Sequence, residues 1–173
     1  PDGTDAPLTG ATQPLSRSHE RFAAVCAANC HMFRTSAALA SPGDRGVDHR
    51  SSARDRARLT IDPVRGLPAW IWDVPYDGAR HPGTATVDSA RDGANCQLFA
   101  YAVLRELGFE MGSHRSDELW DDTLDTAHVD DERLWDLVLV NRTPDAFGAH
   151  VGVDLGDRRV LHLCAEVGRP VVW

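Results

Sequence analysis

Lysine is absent from this 173-residue chain: all 18 basic residues are arginine, set against 26 acidic ones, for a net charge of −8. Such a balance offers no basic face for a nucleic-acid backbone or an anionic membrane surface, although a local arginine pair could still hold a carboxylate. Long apolar runs are missing as well. Nothing approaches the ~20 residues that span a bilayer, and there is no secretory h-region. The chain opens at Pro1, so a leader removed upstream stays open, and with it a cytoplasmic or a secreted setting. Internal repeats are absent. Cysteine is sparse, at Cys26, Cys30, Cys96 and Cys164. Four cysteines permit two disulfides, but a chain of this length can bury a core without them.

What is present divides into two parts. Residues 1–58 read as an N-terminal extension: a Pro-, Gly-, Thr- and Ser-rich lead-in over 1–18, then a helix over 18–40 with Ser18 as cap, then a charged segment. Cys26 and Cys30 would lie one turn apart on the buried side of that helix. Residues 59–173 read as the main domain. Its first part, with Trp70 and Trp72, has Pro and Gly punctuation that suits turns and short extended pieces. "NCQLFAYAVLREL" predicts an amphipathic helix over 95–107, closed by Gly108, and "SDELWDDTLDTA" a second over 116–127 with Ser116 as N-cap. Four strands follow, at 135–141, 148–156, 158–164 and 169–173. Helices first and an antiparallel sheet afterwards make an α+β domain.

Cys96 stands at the first turn of its helix, where unpaired N–H groups and the helix dipole favour a thiolate. A buried inert cysteine is the plainer use of such a residue. The hairpin bears on the choice. With a three-residue loop (Gly156, Asp157, Arg158), His150 and His162 share one strand face a diagonal step apart; with a two-residue loop they face opposite ways. A cysteine nucleophile needs a base, and the base an orienting partner. Cys96, His150 and His162 could fill those roles.

On these residues the chain resembles the NlpC-type cysteine peptidases and amidases of papain-like fold. The likeness covers about Tyr76 to Val172. It rests on a cysteine starting the helix "CQLFAYAVLRELG", on "WDLVLVN" where the family has a Gly-Asp-Leu-Val strand, and on "HVGVDLGDRRVLHL". It implies a papain-like α+β fold in which the nucleophile helix packs on the antiparallel sheet. It implies Cys96 as nucleophile, His150 as base and His162 as the group orienting His150. Tyr76 in "VPYDG" resembles the tyrosine that helps form the oxyanion and substrate pocket, and Asn95 and Gln97 flank the nucleophile as candidate substrate contacts. Where the family commonly reads Asp-Cys-Ser-Gly, this chain reads Asn95-Cys96-Gln97-Leu98, and a neutral Asn95 gives a charged amine less to bind. The implied substrate is a small peptide, one of cell-wall type included, or another amide-containing molecule, cleaved through a thioester acyl-enzyme with no metal or cofactor. Acyl transfer at the same site, or a catalytically inactive binding module, are the alternatives.

One rival rests on the residues alone. Cys96, His150, His162 and Cys164 could form a Cys2His2 zinc site, although their spacing lacks the paired knuckles usual for one. Trp70, Trp72 and Trp120 suit core packing better than a substrate cleft, and Arg115 and Arg142 suit exposed surface. Oligomeric state is not legible.

Overall fold

Asn95 sets the register of the central helix. The computed structural model describes residues 31–37, 62–122, 126–131 and 133–173, and α1 within it spans Cys96–Glu106. The Asn95 side chain accepts from the Leu98 N–H at 2.8 Å, so one of the four orphan donors of the helix start is satisfied. At the other end the Gly108 N–H bonds to the Arg105 carbonyl and the Phe109 N–H to the Leu104 carbonyl, with Gly108 at φ 88°. That double closure needs a left-handed residue, which glycine supplies without strain. Every residue from Gln97 to Leu104 is buried, because α1 is packed by the sheet on one side and by the 3-10 turns Ala69–Asp73 and Val87–Asp92 on the other. Trp70 and Trp72 pack against this core, and Arg91 lies over the Trp70 ring.

Among the described residues the fold is α+β, built on one antiparallel sheet of six strands. These are β1 (His31–Ala37), β2 (Thr126–His128), β3 (Leu137–Asn141), β4 (His150–Asp154), β5 (Val160–Cys164) and β6 (Arg169–Val172), in the spatial order β2-β1-β3-β4-β5-β6. Leu137, Leu139, Val151, Val153, Leu161 and Leu163 face α1 and the main core, whereas Val138, Val140 and Val160 face the other way beside Trp173. Period-two alternation thus puts apolar residues on both faces, as a sheet covered on both sides requires. None of the described helices is long and apolar enough to cross a membrane.

Three sequence expectations are corrected. The helix expected over 18–40 does not include residues 31–37, which form β1 and pair with β3 from Thr35↔Leu137 to His31↔Asn141. Local helical spacing there is overridden by a free strand edge on β3. Residues 31–37 lie inside the sheet; residues 1–30, with Cys26 and Cys30, and residues 38–61, with the rest of the expected helix and charged segment, lie outside the described residues. The helix expected over 116–127 stops as α2 (Ser116–Asp121), and Thr126–His128 become β2. Ser116 is not its cap: the Arg115 N–H is held by Glu118 Oε2 at 2.8 Å, and the Ser116 hydroxyl accepts from the Gly148 N–H at 3.1 Å.

The β4–β5 hairpin takes the three-residue loop. The Leu155 N–H donates to the Arg159 carbonyl at 2.9 Å, and Gly156, Asp157 and Arg158 all have positive φ. His150 and His162 consequently share a face.

Candidate active site

Each site residue is held by its own local device. The Ser116 hydroxyl anchors the loop before β4 at Gly148. Asn141 Nδ2 donates to the carbonyls of Asp145 (2.7 Å) and Phe147 (3.1 Å) and holds the same loop from the end of β3. His150 starts β4 directly after this pinned loop. Its Nε2 lies 2.7 Å from His162 Nδ1, with the rings edge to face at 4.7 Å between centroids. His162 is only 1% exposed, and its ring lies 4.4 Å from that of Trp173. With Nε2 taken up by His162, Nδ1 is the His150 nitrogen left for a second partner.

α1, which Cys96 starts, packs on the face of the sheet opposite the one that carries His150 and His162. Ladder pairing between β4 and β5 is confined to Val153↔Leu161 and Asp154↔Val160. The Asp154 N–H points to β3, where it bonds to the Asp136 carbonyl, and the Leu155 N–H points to β5. By alternation the Val151 N–H also points toward β5, beyond the end of the ladder. That amide, together with those of Gln97 and Cys96 itself, pulls the Cys96 thiol pKa down. The thiol is thus influenced by the amide of the residue that follows His150, just beyond the end of the β4–β5 ladder.

Gly152 makes that arrangement workable. A Cβ at this position would fall 2.5 Å from Val160 Cγ1, 3.1 Å from the Leu161 carbonyl oxygen and 3.3 Å from His162 Cβ. Only a bare backbone lets β5 lean in far enough for His162 to reach His150.

Electrostatics oppose charge separation in the resting site. Burial pushes the Cys96 thiol above its usual range, and this outweighs the three backbone N–H groups that pull it down. Burial also lowers His150 to about 4, a fall partly offset by the Glu166 carboxylate. The helix start alone favours a thiolate; in place, the pair rests as neutral thiol and neutral imidazole. Tyr76 is half-buried, and its hydroxyl is pushed up first by burial, then by Cys96, Glu166 and Asp77.

Backbone pairing brings Tyr76 to the site. Tyr76 forms a parallel bridge with Ala94, the Asp77 N–H bonds to the Ala94 carbonyl at 2.8 Å, and the Tyr76 N–H bonds to the Gly168 carbonyl at 3.0 Å. One short segment thus ties the approach to Cys96 to the turn between β5 and β6.

The other two expected contacts have structural work. Gln97 is 4% exposed, and its Nε2 donates to the Tyr101 hydroxyl and the His114 carbonyl, both at 2.9 Å. Its side chain faces the core and not a substrate. Asn95 spends its oxygen on capping α1. Trp120 stacks on His128, and Arg115 and Arg142 are exposed. Among the described residues no group of three or more His, Cys, Asp or Glu side chains is arranged to hold a metal.

Glu166, Gly152 and Trp173 were not singled out in the sequence. Glu166 follows His162 by four residues in an exposed turn and belongs to no periodic pattern. The one signal is that "EVG" folds the chain straight back after a histidine strand. Compared with protein-family models, curated proteins and solved structures, the chain has no match in any of the three.

Proposed function

We propose that this chain is a cysteine hydrolase of the NlpC type with a papain-like site, cleaving an amide or peptide bond through a thioester on Cys96. The observation that carries the reading is the His150–His162 pair beside the ladder end that influences Cys96. The Val151 amide, next to His150, acts on the thiol of a helix-start cysteine, and His162 occupies the far nitrogen of the His150 ring. In the working tautomer His150 carries its proton on Nε2, donates it to His162 Nδ1 and leaves Nδ1 as acceptor. As the Cys96 sulfur attacks the carbonyl carbon, its proton passes to His150 Nδ1. The C–N bond then breaks, and the imidazolium returns that proton to the leaving amine. Water, deprotonated by His150, attacks the thioester, the C–S bond breaks, and the thiol regains its proton. An amine in place of water would make the same site an acyltransferase. Tyr76, whose hydroxyl is electrostatically coupled to Cys96, is the side-chain donor assigned to the oxyanion.

The test is acyl trapping. Incubation with small acyl thioesters or p-nitrophenyl esters, acid quench and peptide mapping should place the acyl group on Cys96. The adduct should vanish in Cys96→Ala and form at least ~10²-fold more slowly in His150→Ala. Acylation at another residue, or a rate indifferent to His150→Ala, overturns the reading.

A further inference from the structure

We propose that Glu166 makes this site select acyl donors that carry a positive charge, a protonated amine or a guanidinium, several atoms from the scissile carbonyl. The inference rests on the cysteine hydrolase reading and names its substrate class.

Position is the first argument. Glu166 lies in the turn that joins β5 to β6, and Oε2 accepts from the Cys164 thiol at 3.2 Å. Cys164 shares its strand face with His162, two residues earlier. Two residues after Glu166, the Gly168 carbonyl is bonded to Tyr76, whose segment leads to Cys96. The turn is therefore tied to the site's segment by its backbone, and the carboxylate itself is held by the Cys164 thiol. It is no loose surface acid.

Availability is the second. Glu166 is exposed, and no arginine or histidine among the described residues forms an ion pair with it. Arg169, which pairs with Cys164 across the hairpin, forms no ion pair with it. Arg80 is turned inward, with Nε on the Gly93 carbonyl and Nη2 on the Ser89 carbonyl, both at 2.7 Å. One carboxylate oxygen is used by a thiol, and the other is open. The field of Glu166 is felt at both His150 and Tyr76, and Asp77 adds to it at Tyr76. A chain of net charge −8 further concentrates cationic ligands around it. A carboxylate so placed gives a charge-assisted hydrogen bond to a cation and repels an anion.

The probes are iodoacetamides bearing an ammonium group on arms of about two to six carbons, each compared with its N-acetylated twin. Labelling rates at Cys96 would be read by peptide mapping and divided by the rate with glutathione. At one arm length the ammonium probe should label Cys96 roughly tenfold faster than its twin, as expected for a hydrogen bond to a charged group. Glu166→Gln, which keeps the acceptor for Cys164, should abolish that advantage, and about 0.5 M salt should shrink it. Matching thermal melts of the two proteins would establish that the fold is intact. If Cys96 is labelled but the advantage is absent, survives Glu166→Gln or instead follows Asp77→Asn, the charge selection is wrong and the hydrolase reading stands. If Cys96 reacts with no probe in the folded protein, both fall.

Discussion

His150 and Cys96 are shifted in opposite directions by one cause, removal from water, and the shifts have observable consequences. An imidazole in an unfolded chain titrates near 6.5, whereas His150 in the fold is lowered to about 4. Between those values the unfolded chain takes up a proton that the folded one refuses. By linkage, His150 costs the fold stability as pH falls through that window, and adds no further loss below it. Urea titrations from pH 7 to 4 should show wild type losing more stability than His150→Asn, and the difference between the two curves isolates this residue from the carboxylates. The same neutral imidazole is the working base, so the acid limb of kcat/KM should fall near pH 4. For Cys96 the sign is reversed: alkylation by iodoacetamide should accelerate only above the ordinary thiol range of about 8.5. An inflection well below that value would mean a preformed thiolate–imidazolium pair and would replace general-base activation.

At the scale of elements, the site depends on two strands that stop pairing early. Val153↔Leu161 is the last ladder pair before β4 and β5 part, and Gly152 sits at the fork. Gly152→Ala places a methyl group against Val160, the Leu161 carbonyl and His162. Backbone cannot move aside as a flexible side-chain tip can, so overpacking should cost about 1–3 kcal/mol. It should also part His150 from His162, so that kcat/KM falls by more than the loss of folded protein explains. Denaturation and kinetics on one preparation would check both. Much of this region was legible beforehand. The helix at Cys96, its Gly108 stop and the two histidine strands follow from local rules, and so does the shared face of the histidines once the loop has three residues. The early end of the β4–β5 ladder was not legible, because alternation and loop length fix the register of a hairpin but not where its pairing stops. Nor was the fate of Gln97, whose amide is satisfied by a carbonyl 17 residues on.

At the scale of the whole molecule, β1 joins residues 31–37 to a sheet whose other strands lie about ninety or more positions further along the chain. Read locally, "HMFRTSA" continues an alanine-rich helical pattern. In the fold, Arg34 reaches across β3 and forms an ion pair with Asp154 on β4, on the face away from α1. The Asp154 carboxylate is 1% exposed and also accepts from the Gly156 N–H at 2.7 Å, so one acid ties β1 to the hairpin that carries both histidines. Only partners 120 residues apart reveal it. A buried pair adds little over an apolar substitute, but a buried charge left alone costs about 3–5 kcal/mol. Arg34→Met should therefore destabilise the protein by that order and loosen β1. Arg34→Met combined with Asp154→Asn should recover part of the loss, because asparagine keeps the oxygen that holds Gly156 without the stranded charge. Urea denaturation of the two single variants and the double variant closes the cycle. If Arg34→Met costs less than about 1 kcal/mol, the pair does not anchor β1, and the hairpin's stability must come from α1 and the core beneath it.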